Sequence, residues 1–516
     1  MITQDQSGVV AWLASSAAHA GAEVDRIDTH ASIVFLAGDR AWKLKRAVRY
    51  DYLDYSTEDR RRAMCDAEVR INRRIAPALY RGVTAVTRQA DGSLAIGGPG
   101  APVDWLVEMA RFDQHCLLNH LAEAGVLPIA LMPRLAHVIA RFHATAADRA
   151  SHGGWEGMRR VIDGNAAGLA AEAAGIVAPP RRARLKDRTR FELDRDDILL
   201  DQRRANGFVR QCHGDLHLRN IVMLDGEPTL FDAIEFGDEL SWIDVLYDLA
   251  FLLMDLERLG LPYHANVVWN RYLAETGDLD GLALMPLFLS CRAAIVAKTT
   301  ATSANLQTDP HKRSELEALA SDYFTLAEAL LEPAPARLIA VGGRSGTGKS
   351  VLASALAPSC GATPGAVVIR SDEIRKKLCG VQPLQRLGPE GYTAEMSRRV
   401  YARLMDEAEK VVCGGYTAIV DAVFSESADR DAIAHVAKAA GVPFAGLWLD
   451  APEPILISRV ARRGPDASDA SVDVVRQQRA HRVESLRWDR LDASGTRQQL
   501  RDAAAARLTS LERVQP

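Results

Sequence analysis

The chain reads His213-Gly214-Asp215-Leu216-His217-Leu218-Arg219-Asn220 near its middle and Gly343-Arg344-Ser345-Gly346-Thr347-Gly348-Lys349-Ser350 further on. Each stretch combines residue types that hold and transfer phosphoryl groups, but the two represent unrelated ways of binding a nucleoside triphosphate. The sequence therefore predicts two nucleotide sites on two different folds.

The first stretch places a carboxylate where it can accept the proton of an acceptor hydroxyl. Phosphoryl transfer asks the protein mainly for an oriented acceptor and for cations on the phosphates. We therefore predict Asp215 as the catalytic base, and Asn220 and the downstream Asp232 as ligands of Mg²⁺. The interval from Asp215 to Asn220 is that of the kinase pattern H-R-D-L-x-x-x-N, with Gly214 in place of the arginine.

At these residues, and at Tyr247-Asp248-Leu249-Ala250, the chain resembles the aminoglycoside phosphotransferase family, a choline-kinase-like branch of the protein-kinase-like fold. The resemblance covers about the first 330 residues. It implies a small sheet lobe followed by a helical lobe, and it implies the same roles for Asp215, Asn220 and Asp232. Asp248 is interpreted as a structural residue that ties the catalytic loop.

The resemblance also implies a phosphate-binding lysine in the small lobe and a helix glutamate that holds it. Ser32–Leu36 and Arg40–Val48 are strand-like and flank a Gly-Asp turn, so they predict a hairpin. Lys43 and Lys45 then share one face of the second strand. We favour Lys43 with Lys45 as the alternative, and Glu68 as the partner. A solvated strand face for Lys43 and ordinary helix salt bridges for Glu68 are the competing interpretations.

The second stretch has the form GxxxxGKS between a predicted strand, Leu338–Gly342, and a predicted helix, Ser350–Leu356. Glycines let backbone N–H groups turn toward phosphate oxygens. The lysine of such a P-loop reaches the β- and γ-phosphates, and the hydroxyl after it binds Mg²⁺. The predicted nucleotide-binding residues are Gly343, Ser345, Gly346, Thr347, Gly348, Lys349 and Ser350, with Lys349 also catalytic and Ser350 also a metal ligand.

Polar residues follow the next two strands of the predicted βα alternation. Asp372 comes directly after the strand Val367–Arg370, and Asp421 ends the strand Thr417–Asp421. Asp372 can orient or deprotonate an acceptor hydroxyl, and helix capping is the alternative for an aspartate at a helix start. Asp421 is placed like a Walker B aspartate and is predicted to serve Mg²⁺.

Over about residues 337–490 the second half resembles P-loop kinases of the gluconate kinase, zeta-toxin and polynucleotide-kinase type. The residues that support this are Ser371–Arg375, Asp421 and the stretch from Arg459–Arg463 to Asp466-Ala467-Ser468-Asp469-Ala470. The resemblance implies that Asp372 is the acceptor-side base and that Arg375 contacts the substrate. It also implies a lid arginine, Arg459 or Arg463, that neutralises the transferring phosphate. A solvated helix face is the alternative for Arg463.

The clearest domain boundary is the proline-containing segment 332–336, because proline ends helices and favours extended backbone before it. It separates a kinase-like domain, 1–331, from a P-loop domain, 337–516, in which a parallel sheet is covered by helices. The first domain is predicted to have a small lobe over about 1–110 and a helical lobe over about 111–331. Predicted helices of that lobe include Met132–Ala146, Val161–Ala173, Asp187–Asn206 and Ser241–Arg258.

Composition excludes several other classes of protein. A net charge of −4 gives no basic field over the whole chain, so nucleic acid is not expected as a partner. Seven scattered cysteines indicate reduced thiols and a cytoplasmic protein. The apolar stretches Val245–Met254 and Leu282–Ala297 are interrupted or too short to span a bilayer, and they predict buried helices rather than a membrane protein.

The leading hypothesis is a bifunctional kinase that uses ATP and Mg²⁺ in each domain to phosphorylate a small hydroxylated acceptor. GTP stays an alternative to ATP. The rival hypotheses are a nucleotide-sensing domain that regulates the other, and a C-terminal nucleotide-sugar or polynucleotide kinase of the toxin type. Neither the acceptors nor the oligomeric state can be read from the sequence, because fold does not fix substrate.

Overall fold

The computed structural model describes residues 3–29, 31–50, 53–462, 464, 466–480, 483 and 486–512. The chain divides into two compact units. The first unit is Met1–Leu259 with Cys291–Ala320, and the second is Gly260–Ser290 with Ser321–Pro516.

The first unit begins with a six-stranded antiparallel sheet in the order β1-β2-β3-β8-β6-β7. Its elements are α1 (Ser7–Leu13), β1 (Val24–Asp28), β2 (Ser32–Ala37), β3 (Arg40–Lys45), β4 (Arg49–Tyr50), β5 (Leu53–Asp54), α2 (Glu58–Asn72), β6 (Tyr80–Arg88), β7 (Leu94–Ile96) and β8 (Ala101–Ala110). The predicted hairpin is confirmed, with Lys43 opposite Val34. Thr57 caps α2 by accepting a hydrogen bond from the Arg60 amide, which fixes where the helix begins.

The rest of the first unit is mainly helical. Its elements are α3 (Leu118–Glu123), α4 (Met132–Thr145), α5 (Gly154–Glu172), α6 (Pro179–Arg195), α7 (Asp197–Ala205), β9 (Val209–Gln211), β10 (Ile221–Leu224), β11 (Glu227–Leu230), α8 (Asp238–Ser241), β12 (Trp242–Asp244) and α9 (Val245–Arg258). Hairpin β10–β11 carries the chain from Asn220 to Asp232. Strand β9, just before the catalytic loop, pairs with β12, which comes after it in the chain.

The predicted helices of this lobe have different bounds in the structure. The one predicted over Val161–Ala173 begins already at Gly154, and the one predicted over Met132–Ala146 ends at Thr145. The helix predicted over Asp187–Asn206 breaks at Asp196, whose φ of −108° lies outside the helical region. The helix predicted from Ser241 begins only at Val245, because Asp244 is extended and its carboxylate accepts the Leu246 amide as a cap. Arg203 holds the same carboxylate at 2.7 and 2.9 Å.

Three helices follow in the chain: α10 (Pro262–Thr276), α11 (Met285–Leu306) and α12 (Pro310–Ala329). The stretch Leu282–Leu306 is the one helical segment of the described chain that is long and apolar enough to cross a membrane, and 67% of its apolar window is buried inside the protein. Such burial is also what a core helix of a water-soluble protein shows.

The second unit contains a parallel five-stranded sheet in the order β14-β15-β13-β16-β17. Its elements are β13 (Leu338–Gly343), α13 (Lys349–Leu356), β14 (Val367–Arg370), α14 (Ser371–Leu378), α15 (Ala394–Cys413), β15 (Ala418–Asp421), α16 (Ser427–Ala439), β16 (Phe444–Asp450), α17 (Glu453–Ala461), α18 (Val472–Ala480), β17 (Asp489–Asp492) and α19 (Arg497–Glu512). The predicted parallel sheet is confirmed, and β17 adds an edge strand that the sequence did not predict.

The strand order brings the chemistry to one edge of this sheet. Strand β13 lies between β15 and β16, so the loop after β13 opens where the strand order reverses. Ligands of open α/β sheets bind in the crevice at such a point, outside the carboxyl ends of the strands. Arg370, at the end of β14, is in register with Asp421, at the end of β15.

The segment predicted as the linker, 332–336, lies between the end of α12 and the start of β13 and has no regular structure. The division into compact units falls elsewhere, since α10 belongs to the unit that holds the P-loop. Asn266 of α10 donates hydrogen bonds to the carbonyls of Pro364 and Ala366, and Asn270 accepts the Val368 amide at 2.6 Å. These bonds fix the start of β14, and the predicted domain limits remain predictions.

Candidate active sites

The predicted catalytic loop of the first unit holds its carboxylate between two polar side chains. Asn220 donates to the carbonyl and to the carboxylate of Asp215, both at 2.9 Å. His217 Nε2 lies 3.2 Å from Asp215 Oδ2. Burial acts to raise the pKa of Asp215. His217, His213 and Arg292 lower this pKa by more than burial raises it, so it falls well below its usual value. Asp215 is therefore ionised and held in a fixed orientation.

Buried groups brace this loop from behind. Asp248 is fully buried and accepts hydrogen bonds from the amides of His213 and Gly214 at 3.1 and 2.8 Å. His143 contacts the same carboxylate at 3.0 Å. Arg292 donates to the carbonyl of Gly214 at 3.0 Å. The interpretation of Asp248 as the residue that ties the loop is confirmed.

The two lysines of β3 meet Glu68 inside the small lobe. Lys43 Nζ donates to Glu68 Oε1 at 2.9 Å and to Asp232 Oδ1 at 2.5 Å. Lys45 Nζ donates to Glu68 Oε2 at 2.6 Å and contacts Glu235. Lys43 is 12% exposed, so the solvated-face alternative for Lys43 is wrong, and Lys45 is 1% exposed. Only Lys43 pairs with the predicted metal ligand, which supports the choice of Lys43 over Lys45.

The electrostatics of this cluster keep Lys43 and Glu68 charged. Burial opposes charge on Lys43, but Asp232 and Glu68 outweigh it and raise the pKa of Lys43. Burial acts to raise the pKa of Glu68, but Lys43 and Lys45 outweigh this effect and lower the pKa to about 2. Glu68 itself is fully buried, and within the described part of the chain this pair of cations compensates its charge.

Removing Glu68 should therefore cost more than removing an ordinary helix carboxylate. We expect Glu68→Ala to lower the free energy of unfolding of the first unit by about 3–5 kcal/mol, because each of two buried ammonium groups loses one of its carboxylate partners. Asp66→Ala, at an exposed position of the same helix, is the matched control and should change it by less than about 0.5 kcal/mol. Urea unfolding of both variants measures the difference, and equal losses would contradict the prediction.

Asp232 stands at a strained point of the chain. Its φ is +61°, which is uncommon for a residue with a side chain. Its amide donates to the Tyr80 hydroxyl at 3.0 Å, and the next amide, of Ala233, donates to Asn72 at 2.8 Å. The turn is thus held from both sides. The oxygens of Asn220 and Asp232 suit Mg²⁺, which prefers hard oxygen ligands.

The P-loop of the second unit depends on its glycines. Gly343, Gly346 and Gly348 have φ values of +140°, +84° and +94°. A side chain at Gly343 would place its Cβ 2.5 Å from the carbonyl oxygen of Leu449, so the loop can follow this path only with glycine there. Helix α13 begins directly afterwards at Lys349.

The predicted residues of the second site line one open cavity of about 1250 Å³. The cavity is lined by the P-loop residues Ser345, Gly346, Thr347, Gly348, Lys349 and Ser350, and by Asp372, Arg375, Asp421 and Arg459. Gly343 lies at the end of β13 beneath it. The structure thus brings together the residues that the sequence predicted from four separate segments.

Asp372 lies in the first turn of α14, and the cap position is occupied by Arg370, so helix capping does not explain Asp372. Burial and the neighbouring Asp421 raise the pKa of Asp372, against the effects of Lys349 and of a hydrogen bond from Ser468. A carboxylate with a raised pKa is a better proton acceptor than an ordinary one.

The predicted arginines have defined partners. Arg375 donates to the carbonyl of Gly391 at 2.7 Å and lies 4.9 Å from the ring centre of Tyr392. Arg459 donates to the carbonyls of Ala493 and Gly495, and these bonds anchor part of its guanidinium at the wall of the cavity. Arg463 lies outside the described residues, so its predicted role is not addressed.

Two groups were missed by the sequence interpretation. Glu235 pairs with Lys45 and accepts the Tyr55 hydroxyl at 2.5 Å, but nothing in its spacing marked it. Arg370 contacts the predicted metal ligands of the second site. The sequence signal that could have revealed Arg370 is a charged residue at the end of an otherwise apolar strand.

Comparison with known proteins agrees with this division of the chain. Residues 107–283 match the APH family model, described as a phosphotransferase enzyme family. Residues 338–485 match the AAA_33 family model, described as an AAA domain. Fold and sites together define a kinase-type protein with a phosphotransferase domain followed by a P-loop domain. Both resemblances inferred from the sequence are confirmed.

The relatives do not add a named activity. An uncharacterized protein of Mycobacterium tuberculosis is 28% identical over 485 residues, which is 92% of this chain and 93% of the relative. An uncharacterized protein of Mycobacterium bovis matches to the same extent.

Solved structures with detectable similarity are more distant. A choline/ethanolamine kinase family protein from Mesorhizobium loti is 14% identical, over 63% of this chain and 95% of that chain, with a TM-score of 0.39. A gluconokinase from Sinorhizobium meliloti is 20% identical, over 35% of this chain and 93% of that chain, with a TM-score of 0.26.

Proposed function

We propose that the protein is a bifunctional phosphotransferase in which each unit moves the γ-phosphate of ATP to a hydroxyl of a small-molecule acceptor. The observation that carries the proposal is that each unit holds a complete set of groups for the reaction. Such a set comprises a carboxylate suited to accept a proton, a cation for the phosphates and oxygen ligands for Mg²⁺. A protein that only bound nucleotide would not need the first of these.

In the first unit, the acceptor hydroxyl gives its proton to Asp215 while its oxygen bonds to the γ-phosphorus and the bond to ADP breaks. Lys43 would hold phosphate oxygens, and Glu68 keeps its ammonium in place. Asn220 and Asp232 would hold Mg²⁺, which neutralises charge on the phosphates when bound. His217 orients Asp215 through the contact described above.

In the second unit, Asp372 takes the corresponding proton. Lys349 and the backbone amides of the P-loop would bind the phosphates, and Ser350 and Asp421 would hold Mg²⁺. Arg375 and Arg459 line the same cavity and would contact the acceptor and the transferring phosphate. Arginine suits both tasks because its planar group matches phosphate and carboxylate oxygens.

The test is to incubate the full chain with Mg²⁺, ATP and a cell metabolite extract and to search for new phosphorylated masses by mass spectrometry. We expect two sets of products, one lost in Asp215→Asn and the other in Lys349→Met. GTP in a parallel incubation decides the nucleotide. If both variants retained every product of the unchanged protein, the proposal would fail.

The same experiment separates the rival hypotheses. If only one site formed products and the other bound nucleotide without turning it over, the unit without turnover would be identified as a regulatory nucleotide sensor. Products at nucleic-acid ends whose formation falls steeply with salt would identify a polynucleotide kinase. We further propose a cytoplasmic location, supported by the seven cysteines, all of which are described and lie outside disulfides.

A further inference from the structure

A glutamine of the second unit holds the start of the P-loop. Gln478 lies in α18, and its side-chain Oε1 accepts the backbone N–H of Ser345 at 2.8 Å. Its backbone carbonyl accepts a hydrogen bond from Arg344 Nε at 3.2 Å. Helix α18 is itself anchored, because Val475 is fully buried in the core of the unit. Gln478 is therefore tied to the loop at two points, from a helix that is packed in place.

The hydrogen bond to Ser345 fixes which way the amide group of Gln478 points. A backbone N–H can only donate, so its partner is the oxygen of the side-chain amide, and the NH₂ group takes the other position. Within the part of the chain that the structure describes, no acceptor bonds to this NH₂ group. Gln478 lines the cavity of the second site together with Ser345 and Lys349. The cavity wall thus presents two N–H donors that a ligand can use.

The contacts of one peptide group place these donors near the end of the bound phosphates. The peptide group between Arg344 and Ser345 donates its N–H to Gln478. Its carbonyl oxygen accepts a hydrogen bond from Lys349 Nζ at 3.2 Å. The lysine of a P-loop reaches the β- and γ-phosphates. Since the two ends of a trans peptide group point in opposite directions, Lys349 and Gln478 would reach phosphate oxygens from different sides.

We propose that Gln478 is a further residue of the second site, which donates its side-chain N–H groups to oxygens of the γ-phosphate. ATP carries this phosphate and ADP does not, so Gln478 makes the site prefer the triphosphate. Hydrogen bonds to a charged acceptor are stronger than those between neutral groups. A donor on the transferring phosphoryl group also stabilises charge in the transition state. This inference rests on the proposed function of the second unit.

The test compares the affinity of the second site for ADP and for a non-hydrolysable ATP analogue, each with Mg²⁺, on the full chain. Slower hydrogen exchange of the backbone amides in 344–350 reports binding at this site, because these residues form its P-loop. Gln478→Glu is the decisive variant, because it keeps an oxygen for the Ser345 amide and replaces the donor by an anion. We expect the Kd of the analogue to rise at least about tenfold relative to the Kd of ADP, as for the loss of a hydrogen bond to a charged group.

Two further variants separate the donor from the rest of the helix. Gln478→Met removes the donor without adding charge, and should change the ratio of the two Kd values in the same direction by less. Gln477→Glu makes the decisive substitution at the adjacent, exposed position of α18, and should leave the ratio unchanged. Circular dichroism checks folding, and Gln478→Met decides the question if Gln478→Glu does not fold. Equal weakening of ADP and the analogue would mean that Gln478 only holds the loop, and would overturn the inference.

The same measurements distinguish this inference from the proposed function. If the ratio changes as expected but the metabolite incubation yields no second-site product, the contact with the γ-phosphate stands and phosphoryl transfer fails. If second-site product forms and the ratio is the same in the unchanged chain and in Gln478→Glu, only the inference fails. If the unchanged chain binds neither nucleotide at 344–350, both fail.

Discussion

Replacing Lys349 by methionine is expected to lower turnover at the second site by on the order of 10²–10³-fold, the cost of removing one preorganised group that stabilises charge in a transition state. Lys349 is the first residue of α13 and lines the cavity beside Ser350. Its Nζ also donates to the carbonyl of Arg344 at 3.2 Å, which holds the side chain along the P-loop. Methionine keeps most of the length and removes the charge.

The expected loss has a second part, in the acceptor-side base. Lys349 is among the groups that lower the pKa of Asp372, against burial and Asp421, which raise it. Without the lysine, Asp372 should hold its proton to a higher pH. The base must be ionised to act. As the pH is lowered, the residual activity of Lys349→Met should therefore begin to fall at a higher pH than the activity of the unchanged protein.

The measurement is turnover of the second-site product over a pH series, with nucleotide affinity determined separately by calorimetry. Lys377→Met is the matched control, since it makes the same change at an exposed position of α14. Turnover of the first-site product provides an internal control in both variants. If Lys349→Met and Lys377→Met lost equal activity, the assignment of Lys349 to the phosphates would be wrong.

Local sequence patterns were enough to predict most residues of the second site. The P-loop, Asp372 and Asp421 each stand at a strand end, and the alternation of strands and helices predicted that those ends share an edge. Arg370 was missed because its partners come from distant parts of the chain, and Asp466 lies almost a hundred residues away and outside any regular element. No periodicity connects two such residues before the chain is folded.

The first site shows the same limit in another form. Lys43 and Lys45 were equivalent in the sequence, because both face the same way from one strand. What distinguishes them is the chain beyond β11, where a turn at positive φ brings Asp232 to Lys43, and Glu235 to Lys45. Strand alternation can predict a shared face, but it cannot predict which partner a distant turn will supply.

Replacing Asp215 by asparagine is expected to lower turnover at the first site by about 10²–10⁴-fold, the usual contribution of a positioned general base. Asparagine has the same shape but cannot accept the acceptor proton. The backbone of the loop should persist, because it is held by Asp248 and by Arg292 rather than by the Asp215 carboxylate. Nucleotide affinity should therefore change little while kcat falls.

A spectroscopic readout separates this role from a merely structural one. Burial lowers the pKa of His217, and the Asp215 carboxylate more than offsets it and raises the pKa. Asp215→Asn removes the largest effect that raises the His217 pKa and leaves burial in place, so this pKa should fall in an NMR titration. A folded variant with low kcat and this shifted histidine is the expected result.

Asp225→Asn is the matched control, because it makes the same substitution at an exposed residue in the turn between β10 and β11. It should leave kcat and the His217 pKa unchanged. If Asp215→Asn retained full turnover at the first site, Asp215 would have no part in the reaction, whatever happened at the second site. A loss of kcat with an unshifted His217 would instead mean that the two side chains do not interact in solution, and that the base is oriented by Asn220 alone.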